Sequence, residues 1–329
     1  MKMHRIRTRW MLPGILALAG TAFTFAVTTT PTAAQDLFAI EGTPIYSGKP
    51  SDQAGITFGA WGSGSCKEST KTSRGNGRSI EITPKGLYEG GRLDFKTPAD
   101  ATEAFKDSNT YFQVLTRFGN VSSQQGGVGG GMPGMMPGMP PMPGNMLGLP
   151  GPDPYGGAGS AKRARKIRVM LTFDNGQSVE RIVDVSSFKP LQDGWTAISL
   201  PTSVLKGSLD LPAYKIKRVV IGGDGNEPFY VGEIRTFQDT SPLEVETGQD
   251  KEVSRNYRVT FQGTCKAGAA GVKYSWDFDD SDGIQEEVIG NVISHSFRKA
   301  GDYVVTLTVS DIFGVKKPAT STTKVHVNE

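Results

Sequence analysis

Short segments of alternating apolar and polar residues, separated by Gly, Pro, Asn and Asp, constrain the fold of this chain most strongly. The stretch 166–173 is followed by Asp174-Asn175-Gly176 and then by a second alternating stretch, 178–185. An Asn-Gly step supplies the positive φ values that a tight turn requires, so the two stretches predict a β-hairpin. Helical periodicity is nearly absent, with one or two turns expected within 99–108. We therefore predict an all-β protein built from sandwiches or jelly rolls.

The first 34 residues are predicted to be a secretory signal peptide. Four basic residues lie within the first nine, an apolar stretch covers 15–27, and Thr32-Ala33-Ala34 offers the small residues that signal peptidase requires. We expect cleavage after Ala34 and a secreted or cell-surface protein, with an uncleaved anchor as the alternative. The apolar stretch is short for a membrane span, and no span is expected after cleavage.

Charge changes sign when this segment is removed. The whole chain carries +3, and the segment contributes four positive charges, so the remaining residues carry about −1. Affinity for a phosphate backbone requires clustered Lys and Arg. The remaining basic cluster, at 162–166, is interpreted as the solvated start of a strand. We therefore expect no nucleic acid partner.

Residues 122–160 depart from the strand pattern. Gly, Met and Pro dominate this segment, and no charge occurs before Asp153. Such a composition cannot offset its ordering entropy by burying a core, so we predict a disordered insert between two strands of one domain. Methionine-rich tracts can bind Cu(I) through their thioethers. The irregular spacing and the lack of His or Cys favour a low-complexity insert instead.

A second strand series begins after the Pro-containing segment 239–243, which predicts a domain boundary between 35–238 and 239–329. Four motifs then follow in order: Trp276-Asp-Phe-Asp-Asp280, His295-Ser-Phe297, Ala300-Gly-Asp-Tyr303 and Val305-Thr-Leu-Thr-Val-Ser-Asp311. In sequence and order they resemble the PKD domain family. The resemblance implies an immunoglobulin-like β-sandwich that acts as a spacer or adhesion module.

Acidic residues of the 277–287 loop raise the question of a calcium site. The candidate ligands are Asp277, Asp280 and Asp282. Counting back from Gly283 as the sixth position places Phe278 in the first ligand position, so the loop does not fit an EF-hand. We prefer a solvated, turn-forming acidic loop, with a looser structural calcium site as the alternative. No other cofactor is expected.

The segment order of 35–238 is similar to the galactose-binding-like jelly roll of carbohydrate-binding modules. Several such modules end in a Phe-Tyr-Val-Asp-x-Ile strand that helps to place a calcium ion. This chain has Phe229-Tyr-Val-Gly-Glu-Ile234, with Gly232 in place of that Asp. The resemblance implies the fold of a carbohydrate-binding module.

Sugars bind proteins through aromatic faces, with a few polar groups taking hydroxyl hydrogen bonds. The candidate ligand-binding residues are the aromatic residues Trp61 and Tyr88 with the polar partners Arg92 and Asp94. Trp61 is a candidate because glycines surround it in an expected loop. Two further aromatic residues were considered as platforms and are expected in the core, Tyr111 and Trp195.

The sequence does not favour an enzyme. After signal removal the histidines are His295 and His326, and neither neighbours a nucleophile motif or a metal-ligand spacing. There is no G-x-S-x-G elbow. A glycosidase would need paired carboxylates, and Glu81, Asp94 and Glu233 are isolated in sequence. We therefore expect no catalytic residues.

The two cysteines fall in different domains. Cys66 lies in the first and Cys265 in the second. Because Cys265 is expected on the side that faces the preceding domain, we predict an interdomain disulfide in an oxidising compartment. Two unpaired buried thiols are the alternative.

These observations give a leading hypothesis and two alternatives. The leading hypothesis is an exported, non-catalytic protein that binds a polysaccharide or a cell-surface glycan or protein. The competing hypothesis is a structural or protein-interaction component of the cell surface without a sugar site. A glycoside-active enzyme is a minor alternative, and the sequence does not indicate an oligomeric state.

Overall fold

The computed structural model describes residues 41–119, 162–279, 281 and 283–329. The predicted signal peptide and the predicted disordered insert (122–160) lie outside these ranges. The described residues belong to one compact unit, Gln35–Glu329. None of the helices in the described ranges is both long enough and apolar enough to cross a membrane.

The first sandwich is built from two antiparallel sheets. Its strands are β1 (Gly42–Tyr46), β2 (Ile56–Trp61), β3 (Ser65–Ser69), β4 (Ser79–Thr83), β5 (Gly86–Asp100), β6 (Thr110–Phe118), β7 (Lys166–Phe173), β8 (Ser178–Asp184), β9 (Thr196–Pro201), β10 (Lys215–Gly223) and β11 (Phe229–Gln238). Its helices are α1 (Ser51–Ala54), α2 (Thr102–Lys106) and α3 (Thr202–Lys206). The six-stranded sheet has the order β3-β4-β11-β6-β9 with β1 paired to β11, and the five-stranded sheet has the order β2-β5-β10-β7-β8.

Local sequence signals explain several of these elements. The predicted hairpin is formed by β7 and β8, with Lys166 paired to Asp184 and Thr172 paired to Ser178. Gly176 adopts a φ of 87°, which the turn requires and which a residue with a side chain rarely adopts. The short helical segment expected within 99–108 is α2. The all-β prediction is confirmed.

Apolar residues of the two sheets face each other across the core of the first sandwich. The five-stranded sheet contributes Leu93, Val169, Leu171, Val219 and Ile221, and the six-stranded sheet contributes Ile80, Ile82, Val114, Ile198 and Val231. All are almost fully buried. Burying one such aliphatic side chain contributes about 1.5–3 kcal/mol, so the alternation of these strands fixes which face each residue occupies.

Tyr111 and Trp195 are buried, as the sequence predicts, but both lie outside the main core. Trp195 is 2% exposed and packs on the opposite face of the six-stranded sheet. A Cβ on Gly232 would come within 2.8 Å of its ring, so this glycine makes room for the indole. Tyr111 packs with Phe237 and Ala269 where the two sandwiches meet. Neither aromatic face is open to a ligand.

The second sandwich follows directly. Its strands are β12 (Glu244–Glu246), β13 (Lys251–Ser254), β14 (Arg258–Gln262), β15 (Thr264–Lys266), β16 (Val272–Asp277), β17 (Val288–Ile289), β18 (Val292–Ser296), β19 (Gly301–Asp311) and β20 (Ala319–Asn328). A five-stranded sheet, β13-β20-β19-β16-β17, is accompanied by the pairs β12-β15 and β14-β18. β13 pairs with β20 in parallel. Trp276 fills the core, and its Nε1 donates a hydrogen bond to the Gly290 carbonyl oxygen at 2.7 Å.

A buried ion pair joins the two sandwiches. Nζ of Lys316, in the β19–β20 loop, lies 2.7 Å from Oδ2 of Asp239, which follows β11. The same ammonium donates to the Ala267 carbonyl oxygen at 2.9 Å, and Asp239 Oδ2 accepts the Ala269 N–H at 2.6 Å. Both charged side chains are almost fully buried. Their pairing satisfies groups that would otherwise be costly to bury.

Removing one partner of this pair should destabilise the joint. We expect Lys316→Gln to lower the free energy of unfolding by about 3–5 kcal/mol, because it leaves the buried Asp239 carboxylate without a counter-charge. Lys317→Gln is the control, since that neighbouring side chain is exposed and its loss should change stability by less than about 0.5 kcal/mol. Urea unfolding of the full chain measures both. Equal effects of the two variants would contradict a stabilising role for the pair.

The Asp239 carboxylate should also make stability depend on pH. Burial raises the pKa of Asp239, but hydrogen bonds from the Ala269 N–H and from Lys316 outweigh burial and leave the pKa below its usual value. A carboxyl with a lowered folded pKa stabilises the fold above its unfolded pKa of about 4 and loses that contribution as the pH falls. We therefore expect the free energy of unfolding to fall below about pH 4, and less steeply in Asp239→Asn. Parallel curves for the two proteins would contradict this assignment.

Candidate functional site

The polar candidate residues lie on the solvent-facing side of the five-stranded sheet. Leu93 of β5, Leu171 of β7 and Val219 of β10 point into the core. Successive side chains of a strand point to opposite faces, so Arg92 and Asp94 point away from it. We call this surface the outer face. Its central positions are Trp61, Arg92, Asp94, Arg168, Met170, Arg218 and Val220.

Trp61, Arg92, Asp94 and Arg218 form one contiguous group on the outer face. Nε of Arg92 lies 3.3 Å from Oδ2 of Asp94, and Nε of Arg218 contacts the other carboxylate oxygen. The guanidinium carbon of Arg218 is 5.9 Å from the centre of a Trp61 ring. A Cβ on Gly59 would lie 2.7 Å from Arg92 Nε, so Arg92 crosses the sheet directly above this glycine.

Tyr88 reaches the outer face from a bulge in β5. The segment 87–89 interrupts the register between β5 and β10 and is displaced from the ladder. It lies directly against Gly222, where a Cβ would come within 2.5 Å of the Leu87 carbonyl oxygen. Only a residue without a side chain permits this approach of two backbones. The bulge projects Tyr88 towards solvent beside β7.

Tyr88 covers the guanidinium of Arg168. The guanidinium carbon lies 4.9 Å from the ring centre, and the tyrosine is 59% exposed. Nε of Arg168 donates to Oε2 of Glu180 at 2.9 Å, and Nη2 contacts the same oxygen and the Met170 sulfur. Arg168 is only 6% exposed, and among the described residues its buried Nη1 has no hydrogen-bond partner. The exposed ring thus lies over an arginine whose donors are only partly used.

The structure therefore places all four candidate residues on one side of one sheet, in two groups. Trp61, Arg92 and Asp94 belong to the first group, and Tyr88 belongs to the second. Val220 lies between the groups, because it pairs with Arg92 on one side and with Met170 on the other. It is fully buried although it does not belong to the core between the two sheets. The long side chains of its neighbours cover it. The two groups are therefore adjacent on the sheet, with Val220 between them.

Sequence reasoning missed Arg168 and Arg218. The signal was present, because both alternate with buried apolar residues along β7 and β10. The sequence of one strand does not show which strands pair with it in the sheet. Arg218 and Asp94 contact each other across 124 residues of sequence, and no local pattern encodes that pairing.

The predicted disulfide is wrong, because both cysteines are free. Cys66 points into the core of the first sandwich, where its sulfur lies 2.9 Å from the position that a Cβ on Gly91 would occupy. Cys265 packs against the separate core of the second sandwich. Burial raises the pKa of the Cys66 thiol to about 12 and that of Cys265 to about 11. Two partly buried, protonated thiols remain.

Asp277, one of the candidate calcium ligands, is occupied with the backbone. Its two carboxylate oxygens accept the N–H groups of Asp279 at 3.0 Å and of Gln285 at 2.8 Å. This arrangement is the predicted turn-forming role. Asp280 and Asp282 lie outside the described residues. Within the described ranges, no group of three or more His, Cys, Asp or Glu side chains is arranged to hold a metal ion.

The other titratable candidates lie away from the outer face. Glu81 is on the six-stranded sheet, paired with Lys67 at 3.1 Å and Lys71 at 3.0 Å. His295 stacks on Phe278 in the second sandwich, with ring centres 3.8 Å apart. A depression of about 450 Å³ beside α2 is lined by Thr43, Asp100, Thr102 and Thr236, among others, and contains none of the candidate residues.

Comparison with known families identifies the second sandwich. Residues 240–327 match the family model described as the PKD domain. The match confirms the predicted resemblance, and it covers the strands from β12 to β20. None of the curated proteins matches the chain.

Three solved structures show remote likeness to the chain. The PKD domain from human KIAA0319 is 18% identical over 27% of this chain and 82% of that domain, with a TM-score of 0.22. Three N-terminal domains of the bacteriophage RB49 outer capsid protein Hoc are 13% identical over 50% of this chain and 49% of that one, with a TM-score of 0.24. The CBM22-1–GH10 modules of Clostridium thermocellum xylanase 10B are 10% identical over 66% of this chain and 34% of that one, with a TM-score of 0.30. At these TM-scores, none of them assigns a ligand.

The bulge that carries Tyr88 should depend on Gly222. We expect Gly222→Ala to lower the free energy of unfolding by about 1–3 kcal/mol, because the new methyl group would overlap the Leu87 carbonyl oxygen. Gly86→Ala is the matched control, since its Cβ would meet only the Glu89 carboxylate, at 4.0 Å. Thermal unfolding measures both, and the near-ultraviolet circular dichroism of Tyr88 reports the bulge. A Gly222→Ala protein as stable as the Gly86→Ala protein would contradict the close approach.

Proposed function

We propose that the protein is an exported, non-catalytic binding protein whose first sandwich binds a glycan on the outer face. In this proposal the PKD domain serves as a spacer or interaction module. One observation carries it: an exposed tyrosine and a tryptophan share one sheet face with arginines and a carboxylate. Proteins bind sugars by stacking aromatic rings on their C–H surfaces and by hydrogen bonding their hydroxyl groups.

The distribution of the aromatic residues supports this surface over others in the first sandwich. Trp195 and Tyr111 are buried, so they cannot stack on a ligand. Tyr88 is exposed, and Trp61 is only partly buried at the end of β2. Gly222 beneath the bulge and Gly59 beneath Arg92 have no side chains, so none projects from the sheet at these positions. A flat, open face of this kind suits a chain of sugar rings better than a small buried ligand.

The surroundings of the carboxylates favour binding over catalysis. Glycoside hydrolysis needs two carboxyl groups about 5–10 Å apart, one of them able to carry a proton. Asp94 is held between two arginine Nε atoms. Glu180, another carboxylate of the outer face, is paired with Arg168. Carboxylates whose oxygens already contact guanidinium groups are suited to orienting those arginines rather than to acting as a general acid.

Export rests on the features of the N-terminal segment and on the second sandwich. The basic region, apolar stretch and small residues before Gln35 have the order of a signal peptide. The PKD match supports a module whose role is structural. The protein would therefore present its outer face outside the cell, as a secreted or surface-attached component.

Truncation of the aromatic residues tests the proposal. On a glycan array we expect the full chain to bind a subset of polysaccharides, and we expect Tyr88→Ala and Trp61→Ala to weaken that binding by at least about tenfold. Tyr257→Ala is the matched control, because Tyr257 is 64% exposed and lies in the second sandwich. Its truncation should leave binding unchanged.

Thermal unfolding must accompany this test. Tyr88 is the more informative variant, since an exposed ring can be removed with little loss of stability. A folded protein that binds no glycan would contradict the proposal and favour a structural component of the cell surface. Release of soluble sugars from a polysaccharide would contradict the non-catalytic part.

A further inference from the structure

The two groups of the outer face together contain three arginines and two carboxylates. Arg92 and Arg218 share Asp94, and Arg168 is paired with Glu180. Together they therefore hold one positive charge more than negative charge. Each arginine pairs with its carboxylate through part of its guanidinium group, so donors remain for another acceptor.

The unused donors of the first pair are accessible. The side chain of Arg92 is 40% exposed and that of Arg218 is 31% exposed. Among the described residues, no acceptor contacts the Nη groups of either arginine. Asp94 thus accepts a hydrogen bond from Nε of Arg218 and forms an ion pair with Arg92 at 3.3 Å, while the buried Nε of Arg92 has no hydrogen-bond partner among the described residues. The Nη groups of both arginines form no hydrogen bond within the described residues, and the guanidinium of Arg218 lies 5.9 Å from a Trp61 ring centre.

The second group also combines an aromatic ring, an arginine and a carboxylate. Glu180 engages Nε and Nη2 of Arg168, and Nη1 is buried without a partner. A buried donor of a charged group that forms no hydrogen bond is energetically costly. The exposed Tyr88 ring stacks over this guanidinium. A ligand oxygen that displaced part of the Tyr88 ring and accepted a hydrogen bond from Nη1 would remove that cost.

The chemistry that best fits these donors is a carboxylate. A planar guanidinium binds a carboxylate through two parallel hydrogen bonds, which are shorter and stronger than those to a neutral hydroxyl. In a hexuronic acid the carboxylate lies at the edge of the ring, so a ring stacked on an aromatic side chain still presents it sideways. A neutral glycan would leave the surplus positive charge uncompensated.

We infer that the outer face selects a polysaccharide whose sugar units carry carboxylates, a polyuronate, with Arg92 and Arg218 as the principal carboxylate ligands. This inference rests on the proposed glycan-binding function and names the ligand class of the same surface. Arg168 extends the basic surface towards Tyr88, so that neighbouring units of one chain contact both groups.

Calorimetric titration of the full chain with two polymers of one backbone tests the inference. The probes are polygalacturonate and its methyl ester, which keeps the sugar rings and removes the charge. At about 0.15 M salt, where long-range attraction is screened beyond about 8 Å, we expect polygalacturonate to bind at least about tenfold more tightly. Dextran sulfate is the third probe and should bind more weakly than polygalacturonate.

Variants of the arginines complete the test. Arg92→Gln and Arg218→Gln should each remove most of the preference for polygalacturonate over its ester while the weaker binding of the ester persists. Arg258→Gln is the matched control, since it removes the same charge from an exposed site in the second sandwich and should leave the preference intact.

Different results would contradict the polyuronate inference and the proposed glycan-binding function. Equal binding of polygalacturonate and its ester, or of dextran sulfate and polygalacturonate, overturns the inference and leaves glycan binding standing. An equal loss in Arg258→Gln also overturns it, because net charge would then account for the affinity. A folded protein that binds neither these polymers nor any neutral glycan on the array overturns both.

Discussion

Strand alternation in the five-stranded sheet is the constraint on which the candidate site depends. Core residues such as Leu93, Leu171 and Val219 point inward and contact the opposite sheet. Because side chains alternate along a strand, their immediate neighbours face solvent. Slipping β5 or β10 by one residue would bury Arg92 and Arg218 and expose the core. The energy that holds the sandwich together therefore also holds the arginines on one surface.

The same sheet makes the site rigid before any ligand arrives. The arginines project from the central strands β5, β7 and β10 rather than from loops, and carboxylates on neighbouring positions already orient them. Binding to such a surface loses less side-chain freedom than binding to a mobile loop would. Tyr88 is the exception, because it stands on a bulge that only the contact with Gly222 fixes.

Much of the fold can be predicted from local sequence. The Asn175-Gly176 turn predicts the β7–β8 hairpin because the backbone conformation it requires is encoded within two residues. The motifs from Trp276 to Asp311 predict the second sandwich through their resemblance to the PKD domain family. Shorter strands, such as β3 and β13, have too few residues to show a period, so the sequence does not reveal them. Their positions depend on the partners to which they pair.

The candidate site is only half predictable for a related reason. Trp61 and Tyr88 are conspicuous because aromatic residues among glycines stand out in one segment. Arg168 and Arg218 become part of the site only through pairing between strands far apart in sequence. The cysteines show the opposite error: a pairing inferred from domain position was wrong because the side-chain direction of Cys66, set by β3, was not encoded in its neighbours.

The parallel pairing of β13 with β20 has a mechanical consequence. β20 leads to the last residues of the chain, and β13 follows the link from the first sandwich. Tension between the start of β13 and the end of β20 therefore pulls the two strands along their length in opposite directions. The evenly spaced hydrogen bonds between them are loaded in shear, so they must fail together rather than open one at a time like a zip.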